Sequence, residues 1–369
     1  MNARGRHHRQ AILPGVGEAG QAKLASSHAI IVGVGALGCG VAELLVRAGV
    51  GKLTLIDRDI VEATNLQRQC LYAERDLDAP KVEAAARRLA EIDSAVTVRA
   101  LAADFSASSA ERLLGWDKGP PRTDGGEVLI EGTDNFDTRY LINDLAVKHG
   151  VPYVNGGVVG TRGTRLAIMP SVSACLRCVF PDAPAPGTEP TCDTAGVLGP
   201  AVATVTAGQA SDAMRIMLGH AERVTGLLTA FDLWAGTSQR LTVSRDPACP
   251  CCGERRFEYL WSRLGTRAVW LCGQNSVQIF PSHASAERGE DDDTPEIVDL
   301  AQLASRLEPH AAAGGVTRSR FMVRAALALE RADDGGPVHL GVFPDGRAVV
   351  RGVRNPERAR SIYDRYVGA

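Results

Sequence analysis

Apolar positions in this chain fall alternately into short unbroken runs and into helical stripes. His28-Ala29-Ile30-Ile31-Val32, Leu53-Thr54-Leu55-Ile56 and Val128-Leu129-Ile130 are runs of the length of buried strands. Between the first two, Leu37, Val41, Leu44, Leu45 and Ala48 recur at i, i+4, i+7, i+8 and i+11, the stripe of a helix lying on a sheet. The same rhythm predicts a helix over Lys81 to Asp93 with Ala84, Ala85, Leu89 and Ile92 inward and Pro80 at its start. It continues with a strand over Val96 to Leu101, a short helix over Ala110 to Leu114, a helix over Phe136 to His149 and a strand over Val151 to Val154. A strand over Thr164 to Met169, a long helix over Ala201 to Leu218 and a hairpin of Leu227 to Asp232 with Gln239 to Val243 complete this part. Residues 4 to 27 read as an arm and a short helix. Strand and helix alternating so regularly imply right-handed crossovers, hence an α/β, doubly wound and mostly parallel sheet.

From about residue 266 the rhythm changes. Val269 to Phe280 is strand-like, Glu287 to Asp293 is an acidic spacer, and Pro295 to His310 reads as a helix. Strands over Arg320 to Leu329, Val338 to Phe343 and Ala348 to Gly352 and a helix over Pro356 to Val367 close the chain. The expectation is two domains: residues 1–260, and a small C-terminal α+β domain over 266–369 whose role the pattern leaves open. It has no cysteine after Cys272, which excludes a rhodanese-type catalytic thiol.

Composition narrows the class. With 369 residues, 45% of them hydrophobic, the chain builds a sizeable core, and 41 Lys and Arg against 43 Asp and Glu give no basic excess to bind nucleic acid. No polybasic segment or long apolar run points to a membrane, and the N-terminus lacks a signal-like apolar stretch, so a cytoplasmic protein is expected. Nine cysteines, an odd number, suit a reducing compartment, with Cys39 and Cys70 expected as small buried thiols.

Chemistry enters at Gly33-Val34-Gly35-Ala36-Leu37-Gly38, between the first strand and the first helix. Such a Rossmann-like turn lets a phosphate approach bare backbone at the positive end of a helix, which assigns Gly33, Gly35, Ala36 and Gly38 to a nucleotide, and Asp57 at the end of the next strand suits its ribose hydroxyls. A nicotinamide or flavin oxidoreductase carries the same fingerprint. The residues that follow, Asn65-Leu66-Gln67-Arg68-Gln69 and Pro80-Lys81-Val82, add an amide and two cations for which a triphosphate has more use than a dinucleotide. Cys175-Leu176-Arg177-Cys178 and Cys249-Pro250-Cys251-Cys252 are two Cys-x-x-Cys pairs, each able to grip one side of a tetrahedral ion, so Cys175, Cys178, Cys249 and Cys252 read as a closed structural zinc site. Cys251 is a possible competitor for Cys252.

Seven segments in register resemble one family. Arg6-His7-His8-Arg9-Gln10, the glycine turn, Leu55-Ile56-Asp57-Arg58-Asp59, the Asn65 and Pro80 runs, Gly132-Thr133-Asp134-Asn135 and Cys192-Asp193-Thr194-Ala195-Gly196-Val197 are similar, over roughly residues 4 to 258, to the MoeB/ThiF/HesA adenylyltransferases of the ubiquitin-activating type. The resemblance implies ATP-dependent adenylylation of the C-terminal glycine of a small ubiquitin-like sulfur carrier protein ending in Gly-Gly, with pyrophosphate released, in thiamine, molybdopterin or related sulfur-insertion biosynthesis. It implies ATP, Mg2+ and Zn2+, and a homodimer in which Arg9 reaches the partner's ATP phosphates. Catalytic charge is then expected from Arg68, Lys81 and Arg9, with Asp134 on magnesium, Asp57 on ribose and Asn65 orienting ribose or phosphate. Cys192 matches the family cysteine associated with covalent linkage or sulfur transfer. Plainer roles stand beside these: solvated helix charges for Arg68 and Lys81, a surface arginine at position 9, helix capping by Asp134 and an unreactive loop thiol at Cys192. A binding scaffold descended from the family would have lost at least one of Asp57, Arg68, Lys81 and Asp134, and all four are present. Gly132 stands where the family has a small residue or a cysteine before Thr133, a departure that touches local packing.

Overall fold

The computed structural model describes residues 3–124, 126–182, 195–261, 269–271, 276–279 and 298–367. The chain forms two compact units, Met1–Ser262 and Arg263–Ala369.

The first unit opens with three helices where one was expected, α1 (Ala3–Arg6), α2 (His8–Ala11) and α3 (Gly17–Ser26). Then come β1 (His28–Val32), α4 (Ala36–Ala48), β2 (Lys52–Asp57), α5 (Lys81–Ile92), β3 (Thr97–Ala102), α6 (Ala110–Leu114), β4 (Glu127–Glu131) and α7 (Phe136–His149). β5 (Tyr153–Val159), β6 (Arg162–Ile168), α8 (Leu176–Val179), α9 (Gly199–Leu218), β7 (Leu227–Asp232), β8 (Thr237–Thr242) and α10 (Glu258–Trp261) follow. The eight strands lie in the order β3-β2-β1-β4-β5-β6-β7-β8. β3 to β5 pair in parallel and β5 to β8 antiparallel. Because β1 lies between β2 and β4, the crossovers diverge at its carboxyl end and leave a crevice there.

Three glycines close the base of that crevice. Gly33 has φ +86°, and a Cβ on Gly38 would stand 1.9 Å from the Gly33 carbonyl oxygen. A Cβ on Gly132 would stand 2.1 Å from the same oxygen and 2.9 Å from Gly38 Cα. The departure at Gly132 thus has a packing reason: β4 meets the glycine turn backbone to backbone.

The α4 stripe is buried except for Leu44, which is exposed at 39%; Ala42 and Val46 take the inward places instead. Cys39 is buried as expected, but Cys70 is exposed, because the run before it ends in turns on the surface. The N-terminal arm is anchored: Gln10 Nε2 and Gln21 Nε2 donate to the Ala48 carbonyl at 2.8 and 2.9 Å, satisfying the C-terminal end of α4.

The second unit is a six-stranded antiparallel sheet in the order β11-β12-β13-β14-β10-β9, with β9 (Val269–Leu271), β10 (Ser276–Ile279), β11 (Ala311–Arg318), β12 (Val323–Arg331), β13 (Pro337–Val342) and β14 (Ala348–Arg351). Helices α11 (Leu300–Leu307) and α12 (Pro356–Tyr366) share a core with Val277, Ile279, Val323, Leu340 and Val350. The single strand-like stretch expected up to Phe280 is here two antiparallel strands. β11 was not expected at all; of the expected helix over Pro295 to His310, residues 295–297 lie outside the described residues and the rest holds α11 followed by one short turn.

Candidate active site and thiol cluster

A cleft of about 340 Å³ lies at the carboxyl ends of β1, β2 and β4. Its walls include Gly33, Gly35, Ala36, Asp57, Arg68, Lys81 and Asp134, seven residues that the sequence assigned to one site from five separate segments. Asp57 Oδ2 accepts from the Val34 amide at 2.6 Å and Oδ1 from the Asp59 amide at 2.8 Å, so the acid braces the glycine turn that it faces. Enclosure raises its pKa above the ordinary carboxylate value, with Lys81 acting in the opposite sense.

Lys81 opens α5 and is buried, its Nζ 3.1 Å from Asp59 Oδ2. Burial by itself would lower the ammonium's pKa; the Asp59 and Asp57 carboxylates outweigh it, so Lys81 titrates above the usual lysine range and stays charged. Asp59 is therefore what holds Lys81 in place. Arg68 is half-buried and donates to the Thr64 carbonyl at 2.8 Å.

Asp134 is exposed in the cleft and does not cap α7. That role belongs to Asn135, whose Oδ1 accepts from the Thr138 amide at 2.8 Å. The capping expectation for Asp134 is thereby corrected, and its carboxylate is left to the cleft.

Three further assignments separate from the cleft walls. Gly38 lies beneath them in the glycine seam. Asn65 is buried, and its Oδ1 accepts from the Glu62 amide at 3.0 Å while its carbonyl accepts from the Arg68 amide at 3.1 Å, so it shapes the turn that carries Arg68. Arg9 is exposed on α2 and is not among the cleft-lining residues. Cys192 lies outside the described residues.

Sequence reasoning missed the opposite wall, built by Arg139, Gly157, Arg162 and Thr164. It also missed Arg58, which pairs with Asp104 at 2.9 Å along the rim. The available signal was Glu131, an acid directly after the buried apolar run Val128-Leu129-Ile130, since a carboxylate at such a place calls for a cation nearby.

The four expected thiols come together in the same unit. Their Sγ atoms lie within 4.8 Å of one another, with Cys175 to Cys249 at 3.6 Å, Cys178 to Cys252 at 3.4 Å and Cys178 to Cys175 at 4.0 Å. A tetrahedral zinc with Zn–S bonds of about 2.3 Å needs sulfur separations of about 3.8 Å, and this donor set fits. The Asp246 amide donates to Cys178 Sγ at 3.5 Å, the polarity expected toward a thiolate. Cys251 is not one of the four: it is buried beside them and accepts from Asn143 Nδ2 at 3.3 Å.

The model of the ThiF family matches residues 7–251, about two thirds of the chain and all of the cleft. The chain belongs to the ThiF family. The similarity runs on past the match: the sulfur carrier protein ThiS adenylyltransferase of Bacillus subtilis (strain 168) is 37% identical over 368 residues, 99% of each chain. The sulfur carrier protein adenylyltransferase of Thermus thermophilus is 37% identical over 68% of this chain and 90% of its own. Among solved structures, E. coli MccB with ATP has a TM-score of 0.53 at 22% identity, covering 63% of this chain and 68% of that one, which shows a shared fold. Among the described residues of this ThiF-family chain, no helix is long and apolar enough to cross a membrane.

Proposed function

We propose that the protein is an ATP-dependent adenylyltransferase that activates the C-terminal glycine of a small ubiquitin-like sulfur carrier protein ending in Gly-Gly. The product is the carrier acyl-adenylate with pyrophosphate, for thiamine, molybdopterin or related sulfur-insertion biosynthesis. The observation that supports this best is one cleft holding a glycine turn, a ribose acid, a charged buried lysine and an acid with no capping duty.

Both reactants are anionic, so the chain's task is alignment and charge neutralisation. The glycine turn and the first amides of α4 receive phosphate, and Asp57 receives the ribose. Lys81 and Arg68 supply positive charge to the triphosphate. Asp134, an exposed hard-oxygen donor at the end of β4, is the residue that would hold magnesium. When bound, the ion draws charge from the phosphate oxygens and steadies the departing pyrophosphate. Cys175, Cys178, Cys249 and Cys252 would hold zinc in a closed, structural role. Arg9, on an arm anchored to α4, suits a homodimer in which it reaches the partner's cleft, and the protein works in the cytoplasm. Cys192 is carried as a residue for covalent linkage or sulfur transfer.

The test is carrier-dependent exchange of labelled pyrophosphate into ATP. Wild-type protein with magnesium ATP and a panel of small carriers ending in Gly-Gly should exchange with at least one. Asp134→Asn should lose at least about a hundredfold of that rate, while ATP binding falls far less. No exchange with any carrier, or an asparagine variant exchanging at the parent rate, refutes the assignment; bound nicotinamide or flavin absorbance would point to the oxidoreductase reading instead.

A further inference from the structure

We infer that Arg139 is the fork that receives the acyl substrate's reactive carboxylate, and that the buried acid Glu131 holds it in position. The inference rests on the adenylyltransferase reading and adds to it the side of the cleft from which the acyl group arrives. Glu131 ends β4 with no exposed surface. A carboxylate so placed is tolerated only when its oxygens are paired. Oε1 accepts from Arg139 Nε at 2.6 Å and from Thr133 Oγ1 at 3.2 Å; Oε2 accepts from Tyr153 Oη at 2.6 Å and from Asn155 Nδ2. Four donors saturate it, and only Arg139 among them is charged.

Arg139 spends one of its five N–H groups on Glu131. Its Cζ lies 5.0 Å from the centre of the Phe136 ring, which fixes the guanidinium plane. Both terminal nitrogens point toward Gly157 in the cleft wall, 3.6 Å from where a side chain there would begin. Among the described residues neither has a protein acceptor. A guanidinium locked by one edge with its other nitrogens open to a cleft is a preorganised site for a planar oxyanion.

Position decides which oxyanion. Across the sheet, the ribose acid stands at β2, the glycine turn at β1, Asp134 at the end of β4, and Arg139 and Gly157 over β4 and β5. The phosphates already have Lys81 and Arg68 on the near side; Arg139 faces the far side, where a second reactant has to enter. In the reaction a carboxylate oxygen forms a bond to the α-phosphorus while the bond from that phosphorus to the bridging oxygen breaks, its electron pair leaving on pyrophosphate. No proton moves. Negative charge leaves the carboxyl as the mixed anhydride forms, so a guanidinium on the carboxylate favours binding over the chemical step. Its loss therefore raises KM for the carrier more than it lowers kcat.

The experiment compares a carrier ending in the glycine carboxylate with the same carrier ending in a carboxamide, by calorimetry with an ATP analogue whose α,β bridge cannot be cleaved. Wild-type protein should prefer the acid by about tenfold or more. Arg139→Gln should bind acid and amide alike, with ATP affinity measured without carrier changed by less than about threefold. If that variant fails to fold because Glu131 is stranded, the pair Glu131→Gln with Arg139→Gln restores neutral hydrogen bonding and is read in the same way. A variant that keeps the acid preference overturns the inference, as does a tenfold loss of ATP affinity without carrier, which would make Arg139 a phosphate ligand. Wild-type protein that binds no carrier would overturn the adenylyltransferase reading itself.

Discussion

The cleft and the thiol cluster are both assembled in the first unit from residues far apart in the chain, yet they leave their polar atoms in opposite conditions. The four sulfurs face one another, three of them on buried cysteines, and leave no position open to a substrate. In the cleft, Asp134 is exposed and Arg139 turns two nitrogens toward the space between the walls. A closed donor set contributes to the fold; open charges contribute to binding and rate at some expense of stability. Stability and function are therefore separable here, and substitutions in the two places should act on different measurements.

The largest effect expected on stability comes from breaking the closed set. Cys178→Ser should lose the roughly one equivalent of zinc expected per chain and lower stability by roughly 3 kcal/mol, about 6–12 °C in melting temperature for a unit of this size. ATP affinity should change by less than about threefold, because none of the four clustered cysteines lines the cleft. Elemental analysis and a melting curve read the first two outcomes, and ATP titration the third. A metal-free parent that melts like any other preparation, or a serine variant that loses ATP binding in step with stability, would erase the distinction between the two regions.

A smaller effect is expected where the two kinds of consequence meet. Gly132→Ala places a carbon 2.1 Å from the Gly33 carbonyl oxygen, and the atoms it meets are backbone, so β4 and the glycine turn must move apart. Overpacking of this kind costs about 2 kcal/mol, and the shift should also weaken ATP binding. Gly119→Ala, which meets nothing within 4 Å, is the control. Equal denaturation midpoints for the two variants would mean that the seam yields freely.

How far the sequence spoke follows the same physics. Helices with one buried face declared themselves by period, and α7 and β7 have the expected bounds. Leu44 misled because it stands at the margin of the α4 stripe, where spacing admits a residue that the sheet does not cover. β11 was invisible because Ala311-Ala312-Ala313-Gly314-Gly315 has neither β-branched bulk nor alternation; pairing with β12 makes it a strand. In the cleft, motif order supplied Asp57, Lys81 and Asp134, but it could not tell a wall from its support. Asn65 and Gly38 belong to the support, and Asp59 proved to be the partner that holds Lys81. Arg139 was missed because its importance comes from Glu131, eight positions earlier and buried, and no local pattern links the two.

The smallest effect is expected from the cut that touches neither region. All of the cleft residues and all four clustered cysteines precede Ser262, where the first unit ends. The cut cannot be made earlier, because Phe257 and Leu260 are buried in the same core as Cys175, Cys249 and Cys252. The second unit has a core of its own, drawn from β10 and β12 to β14 and from α11 and α12, so each unit retains its own apolar contacts after separation. Protein ending at residue 262 should stay soluble and exchange pyrophosphate within about twofold of the full chain at saturating carrier, since no charged group of the reaction is removed. A change in the KM for carrier alone would assign the second unit to partner choice. Loss of exchange from a truncated protein that still melts cooperatively would mean that the second unit completes the cleft, and the division drawn here between an open site and a closed support would have to include it.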